Sequence, residues 1–119
     1  MSGLAEDTTG RLIAASKVTG TDVYDLKGDK IGSVYDVILS KATGAAQYAI
    51  MSFGGFLGMG KDYYPLPWSL LNYSPQHDGY VVNVDMARIK DAPGLSIDQI
   101  ATVWGDPEYG HTITRYYIR

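Results

Sequence analysis

Residues 54–68 read GGFLGMGKDYYPLPW, in which four glycines precede a Tyr-Tyr pair and a Pro-Leu-Pro-Trp ending. This stretch follows residues 47–53, an apolar run with the composition of a β-strand. Glycine permits a tight backbone excursion, and proline confines the next strand to a sheet edge or a strand end. The order therefore predicts a loop between two β-strands, which indicates an architecture rather than a chemistry.

Short segments with strand character lie on both sides of this glycine loop. The predicted strands are residues 12–15, 22–24, 31–39, 47–53, 62–66 and 80–84. Gly28 supplies the positive φ that a hairpin loop requires, and Gly32 predicts a bulge that helps a sheet to curl. Six short strands at this spacing predict a mainly β protein, built as a small six-stranded antiparallel β-barrel with short C-terminal helical segments.

The strand at residues 47–53 is apolar on both faces. One face carries Ala49, Met51 and Phe53, and the other carries Tyr48, Ile50 and Ser52. An antiparallel sheet commonly has one face in contact with water. Two apolar faces therefore predict that one side lines the barrel interior and that a helix or a second subunit covers the other.

The C-terminal part of the chain has helical character. Residues 86–90 fit one helical turn, and Ser96 is the predicted N-cap of a helix over residues 97–104. For residues 106–119 both a helix and a strand remain open. An Asp-Pro-Glu start favours the helix, whereas Gly110 and three β-branched residues weaken it.

A chain of 119 residues and 13.0 kDa corresponds to one folded domain. Within it we predict a flexible leader at residues 1–10 and a barrel domain at residues 11–91. Residues 92–119 are predicted to be a C-terminal extension that packs on the barrel or on a neighbouring subunit.

Composition restricts the classes of function. The chain contains no cysteine, which excludes disulfides, thiolate nucleophiles and cysteine-bound metals, and the cytoplasm is the expected location. Residues 1–11 lack the features of a signal peptide, and no run of about 18 apolar residues is present to span a membrane. The formal net charge of -3, with a pI near 5.1, argues against non-specific binding of nucleic acid.

No motif that carries chemistry is complete. Residues 55–61 match the glycine and lysine positions of a phosphate-binding loop, but Asp62 stands where a Ser or Thr must meet magnesium. Neither histidine lies in a metal-ligand spacing, and no serine lies in a nucleophile elbow. We therefore predict no catalytic, cofactor-binding or metal-binding residues and no enzymatic activity. Two questions stay open, namely whether the loop at residues 54–60 binds a ligand and whether Asp36 joins a buried network or faces water.

Aromatic residues supply the candidate interaction surface. Few Lys or Arg residues stand between them, which favours packing or protein contact over the stacking of nucleic-acid bases. The predicted surface comprises Tyr63, Tyr64, Trp68, Trp104, Tyr109, Tyr116 and Tyr117.

The sequence resembles the PRC-barrel family from residue 12 to about residue 84. The likeness rests on residues 13–20, 23–25, 28, 31–37, 43–44 and 48–49, and on the Pro-Trp pair at 67–68 that ends the glycine loop. This family includes the cytoplasmic domain of the photosynthetic reaction-centre H subunit and the C-terminal domain of a ribosome maturation factor. The resemblance implies a small closed or partly closed β-barrel that contacts larger assemblies and has no catalytic residues of its own.

The chain is similar to the stand-alone bacterial members of this family, since we expect neither a membrane helix nor an additional N-terminal domain. The leading hypothesis is a non-enzymatic protein-interaction or assembly module without a cofactor. We expect a homo-oligomer, with a dimer favoured, and a protein partner of unknown identity. The alternative is an RNA-associated accessory factor in ribosome assembly, which rests on the family analogy alone and against which the acidic pI counts.

Overall fold

The computed structural model of the chain describes residues 12–53 and 63–118. The strands are β1 (Asp22–Tyr24), β2 (Lys30–Leu39), β3 (Ala46–Ser52), β4 (Tyr63–Pro67), β5 (Leu71–Ser74) and β6 (Gly79–Val82). The helices are α1 (Ala15–Val18), α2 (Met86–Lys90) and α3 (Pro107–Tyr117), and 3₁₀ turns occupy Trp68–Leu70, Ile97–Gln99 and Val103–Gly105. The predicted leader at residues 1–10 and the glycine loop at residues 54–60 lie outside the described residues.

The six strands form one mixed sheet in the order β4-β3-β2-β1-β6-β5. Neighbouring strands run antiparallel except β1 and β6, which pair in parallel at Val23–Tyr80 and Tyr24–Val81. The prediction of a wholly antiparallel barrel is therefore wrong at this pair. After β4 at one edge of the sheet, the chain continues into β5 at the opposite edge. It reverses in the turn after β5, so β6 lies beside β1 and runs in the same direction.

The described residues form six strands, the number predicted, but one member differs. Residues 12–15, predicted as a strand, are irregular up to Ala15, where α1 begins, and Val18 of α1 is buried in the core. The strand that completes the six is β5, in which only Leu71 is buried. Its sequence, LNYS, has too little apolar alternation to indicate a strand. Pairing with β6 therefore decides this element.

The sheet curls until its two edge strands meet at one corner. Only the 3₁₀ turn Trp68–Leu70, about 6 Å long, joins β4 to β5. The predicted bulge at Gly32 is confirmed by a shift of register opposite Val23 and Tyr24, and Gly28 has a φ of 90° in the turn after β1. In the described part of the chain no strand pairing links β4 to β5. The sheet is thus a half-barrel whose corner is closed by the chain itself.

Two clusters of buried side chains lie on the two faces of β3. The inner cluster takes side chains from all six strands and from α2, including Met51 and Ile89. The outer cluster joins Ile50 of β3 to Leu95 and Ile100. The prediction that both faces of this strand are covered is confirmed, since Ile50 and Met51 are both fully buried.

Residues beyond α2 cover the outer face of β3 and the edge strand β4. Tyr63, at the start of β4, exchanges both backbone hydrogen bonds with Leu95, at 3.1 and 2.6 Å. The helix α3 then contacts β4, with Tyr109 against the outer cluster and Tyr117 against the inner one. Because its two ends reach different faces of the sheet, α3 straddles this edge.

Local signals set the helical segments beyond α2. The question left open for residues 106–119 is answered by α3, where Asp106 accepts a hydrogen bond from the N–H of Glu108 at 3.0 Å. The predicted helix over residues 97–104 is wrong in its continuity, because two separate 3₁₀ turns take its place. Ser96 nevertheless caps the first turn, as predicted. Among the described residues no helix is both long enough and apolar enough to cross a bilayer.

Candidate interaction surfaces

The seven aromatic residues predicted as an interaction surface are half-buried and are divided among three places. Three pack against the inner cluster, three pack against the outer cluster, and one joins α3 to α2. In that order they are Tyr64, Trp68 and Tyr117, then Tyr63, Trp104 and Tyr109, and finally Tyr116. All seven have contacts within the chain, and their role in binding a partner stays a prediction.

Trp104 anchors the aromatic part of the outer cluster. Its ring stacks on Tyr48 with centroids 4.9 Å apart and meets Tyr109 edge-on at 5.1 Å. Its indole N–H donates to the carbonyl of Ile100 at 2.7 Å, so its single polar group is satisfied. The hydroxyl of Tyr48 donates to the carbonyl of Gly110 in α3 at 3.0 Å. These contacts hold the C-terminal residues on the sheet, which is a structural role.

Arg88 and Tyr116 connect α2 to α3. The hydroxyl of Tyr116 donates to the carbonyl of Arg88 at 2.6 Å, and the guanidinium of Arg88 donates to the carbonyl of Tyr116. The guanidinium carbon also lies 5.2 Å from the centre of the Tyr116 ring, which is within cation–π range. Tyr116, a member of the predicted interaction surface, therefore joins the C-terminal end of α3 to α2.

Two phenol hydroxyls on α3, those of Tyr109 and Tyr117, are buried without a hydrogen-bond partner. Burial raises the pKa of Tyr109 to about 12. Burial also raises the pKa of Tyr117, an effect that Tyr116 reinforces and the charge of Arg88 opposes. A buried hydroxyl that has lost its bonds to water and gained none opposes folding. These two side chains therefore contribute ring packing while their hydroxyl groups destabilise the fold.

A cleft of about 1120 Å³, which we name the α1–β5 cleft, separates α1 from the β5–β6 hairpin. Its walls carry three exposed apolar or aromatic side chains, Leu12 at 76 %, Ile13 at 46 % and Tyr73 at 40 % exposure. Buried Tyr80 forms the floor and meets the Tyr73 ring edge-on, with centroids 5.5 Å apart. Large apolar groups in a concave surface are typical of a binding site.

Charges of both signs line this cleft. Lys17 of α1 has no carboxylate at ion-pair distance among the described residues, whereas Asp22 pairs with Lys30 at 3.1 Å. Asp78, in the β5–β6 turn, accepts a hydrogen bond from the hydroxyl of Tyr73. That hydrogen bond to Asp78 raises the pKa of Tyr73. Within the described residues, the cleft thus presents a cation without a carboxylate partner on one wall and a carboxylate on the other.

The two edges of the sheet differ in their cover. Leu95 and α3 cover β4, whereas β5 has no strand on its outer side in the described part of the chain. Leu71 donates its N–H to the carbonyl of Trp68, so Leu71 and Val82 form a non-hydrogen-bonded pair of the β5–β6 ladder. Such pairs alternate with hydrogen-bonded ones, which directs the N–H and C=O of Tyr73 away from β6. An open strand edge therefore lies beside the cleft.

A serine–histidine contact lies at the β5–β6 turn. Ser74 Oγ is 2.9 Å from His77 Nδ1, and the His77 ring lies against Tyr24 with centroids 4.6 Å apart. The serine and histidine are three positions apart in one turn, so the contact follows from local geometry. Within the described ranges no group of three or more His, Cys, Asp or Glu side chains is placed to hold a metal ion. Asp36, left open above, is exposed and accepts the N–H of Val37.

Sequence reasoning missed the α1–β5 cleft. It assigned residues 12–15 to a strand and assigned no element to residues 72–74. The apolar character of Leu12 and Ile13 is visible in the sequence, but their exposure is not. They stay exposed because α1 begins at Ala15 and reaches the inner cluster only through its last residue.

Comparison with known proteins agrees with this fold. Residues 10–88 match the PRC-barrel domain, and this match spans α1 and all six strands. No curated protein matches the sequence significantly. Because the matched residues make up more than half of the 119, the chain belongs to the PRC-barrel domain family.

Proposed function

We propose that this chain is an interaction and assembly module of the PRC-barrel type, which binds a protein partner without catalysing a reaction. Its docking surface is the α1–β5 cleft together with the open edge of β5. One observation carries this proposal: the exposed side chains of Leu12, Ile13 and Tyr73 line a cleft beside an edge strand whose outer side has no partner in residues 12–53 and 63–118.

Exposed apolar groups and an open strand edge both favour association. Each square ångström of apolar surface removed from water stabilises a complex by about 25 cal/mol, before the entropy of association is subtracted. Unpaired N–H and C=O groups at an edge bind another chain unless they are covered. Because the described residues cover β4 and leave β5 open, β5 is the edge at which a partner adds to this sheet.

The RNA-associated alternative receives less support from this surface. Among the described residues that line the cleft, Lys17 is the one basic residue, and Asp22 and Asp78 line it as well. Carboxylates repel phosphate, and surfaces that bind RNA carry several Lys and Arg residues. We therefore propose a protein rather than a nucleic acid as the partner.

Photo-cross-linking at two matched positions tests the docking surface. p-Benzoylphenylalanine replaces Tyr73 of β5 in one preparation and Tyr35 of β2 in the other, since the two tyrosines are 40 % and 41 % exposed. In native cells we expect protein cross-links from position 73 and few from position 35, with each product identified by mass spectrometry. Equal cross-linking at both positions, or none at position 73, would contradict the proposal.

A further inference from the structure

We infer that the partner at the β5 edge is a second copy of this chain. In this arrangement β5 of one copy pairs antiparallel with β5 of the other about a twofold axis, and Tyr73 faces Tyr73. Two six-stranded sheets then continue into each other. The inference rests on the docking surface proposed above and names its occupant.

The backbone of β5 suits pairing with itself. The N–H and C=O of Tyr73 point away from β6 and toward the open side. When a twofold axis relates two antiparallel strands, the residue on the axis faces its own copy, and an outward-pointing residue exchanges both backbone hydrogen bonds with it. Leu71 points outward as well, but its N–H already donates to the carbonyl of Trp68, so Tyr73 is the residue on the axis and Asn72 then faces Ser74 of the second copy.

The charges of the cleft are self-complementary. Lys17 lies on the α1 wall, unpaired among the described residues, and Asp78 lies on the hairpin wall. In the dimer that we infer, the Lys17 wall of one copy lies opposite the Asp78 wall of the other, as an interface between identical surfaces allows. Two equivalent ion pairs result. Since both groups lie at the rim of the interface, they act mainly on specificity and orientation.

The exposed apolar side chains give the same partner a hydrophobic contact. Leu12 and Ile13 line the same cleft as Tyr73, and in the inferred dimer they cover the pair of Tyr73 rings. Aromatic pairs across adjacent strands stabilise a sheet by about 0.2–1 kcal/mol. A different protein would need its own edge strand, cation and carboxylate in the matching positions, whereas a second copy has all three by symmetry.

Chemical cross-linking at position 73 tests the register. The chain contains no cysteine, so Tyr73→Cys places a single thiol in each copy. Facing Cβ atoms on paired strands lie about 5 Å apart, within reach of a short bis-maleimide. We expect most of the Tyr73→Cys protein to become a covalent dimer and little of the Tyr35→Cys protein, whose native side chain is equally exposed. Equal capture of the two variants overturns the inference.

Charge reversal tests the ion pairs independently of position 73. Lys17→Glu places a carboxylate opposite Asp78 of the second copy, and we expect it to weaken dimerisation about tenfold in sedimentation equilibrium. Adding Asp78→Asn removes the repulsion and restores most of the affinity, since Asn tolerates the φ of 51° found there. Lys41→Glu, in the exposed turn after β2, is the control. Equal weakening by Lys17→Glu and Lys41→Glu, or no rescue, overturns the inference.

The two proposals fail separately. If the native chain is a monomer at high concentration while position 73 cross-links to a different protein, self-association is overturned and the docking surface stands. If position 73 cross-links to nothing and Lys17→Glu leaves the oligomeric state unchanged, both are overturned.

Discussion

Three tyrosines of α3 differ in what their hydroxyl groups meet. Tyr109 and Tyr117 place their rings in the outer and inner clusters, and neither hydroxyl has a hydrogen-bond partner. The hydroxyl of Tyr116, next to Tyr117 in sequence, donates to the carbonyl of Arg88. The effect of a hydrogen-bonded phenol can therefore be compared with that of two phenols without a hydrogen bond in the same helix.

Removal of the two unsatisfied hydroxyls is expected to stabilise the protein. Tyr109→Phe and Tyr117→Phe keep the ring packing and delete a buried polar group, so each raises the free energy of unfolding by about 1 kcal/mol. Tyr116→Phe deletes a hydrogen bond and lowers the free energy of unfolding by about 1 kcal/mol. Urea denaturation followed by tryptophan fluorescence measures all three. A loss of stability in Tyr117→Phe would contradict this account of its hydroxyl.

The same burial predicts a loss of stability at alkaline pH. Burial raises the pKa of Tyr109 to about 12, whereas tyrosine in an unfolded chain has a pKa of about 10. The folded state holds the phenol proton more tightly, so ionisation of this group does not affect the free energy of unfolding below pH 10, and it lowers that free energy as the pH rises from 10 toward 12. Tyr117, whose pKa is also raised, acts in the same direction.

The predicted loss of stability at alkaline pH is tested by measuring the free energy of unfolding between pH 9 and pH 12. We expect it to fall steadily in the native chain and to fall less in a variant that carries both Tyr109→Phe and Tyr117→Phe. The satisfied phenol provides the control, since Tyr116→Phe keeps both buried hydroxyls and should retain the native slope. If the free energy of unfolding fell equally steeply with pH in the native chain and in the double variant, these two phenols would not cause the loss of stability at alkaline pH.

Among the elements, the contact between β2 and the end of β3 leaves no room for a side chain at Gly32. A Cβ atom there would collide with the backbone carbonyl of Ser52 and lie 2.9 Å from the ring of Phe53. The carbonyl belongs to a paired strand and has no freedom to move aside. Gly32 is therefore required for space, at the bulge that lets the sheet curl.

Gly32→Ala is expected to destabilise the fold by about 2 kcal/mol, because overpacking forces the backbone of two strands apart. Gly105→Ala is the matched control, since a Cβ atom at Gly105 meets nothing within 4 Å. Thermal denaturation distinguishes the two, with a fall of about 8 °C expected for Gly32→Ala and almost none for Gly105→Ala. Equal melting temperatures would mean that β2 and β3 separate without cost.

For the molecule as a whole, the half-barrel depends on the residues that follow α2. Leu95 pairs with the edge strand β4, Ile100 buries the outer face at Ile50, and α3 straddles the edge. Without these residues the sheet would expose one apolar face and one strand edge in addition to β5. Covering the β4 edge is therefore part of the fold, whereas in the described part of the chain the β5 edge stays open, and there we propose that association takes place.

Truncation after Gly94 tests this dependence. We expect the shortened chain to aggregate, because the outer face of β3 and the edge of β4 become exposed together. Truncation after Tyr117, which removes only the last two residues, is the control and leaves α3 complete. Light scattering during purification compares the two. A soluble, folded product ending at Gly94 would show that the outer cluster contributes little to the fold.

Several elements are readable from local sequence because their causes are local. Apolar runs mark β2 and β3, Gly28 marks a turn, and Pro65 confines β4 to an edge. The capping residue Ser96 and the Asp-Pro start of α3 are likewise signals that act within a few residues. Each of these features requires only short-range sterics or one hydrogen bond, so sequence alone identifies it.

The candidate site, in contrast, depends on contacts between segments that are distant in sequence. The sequence shows the seven predicted aromatic residues, but it does not show which cluster each one joins, because that depends on where α3 lies relative to β4. Leu12 is distant in sequence from Tyr73 and Asp78, and no strand is predicted at residues 72–74. These residues line one cleft because β5 pairs with β6 and because residues 12–14 lead into α1 rather than into a strand.

Apolar strand runs and turn chemistry were thus enough to predict a mainly β chain with both faces of β3 covered, and the resemblance of the sequence indicated the family. The parallel β1–β6 pair, the strand β5 and the α1–β5 cleft were decided only when distant segments met. The reason is physical: a strand of weak propensity gains its hydrogen bonds from a neighbour, and no local pattern specifies which neighbour that is.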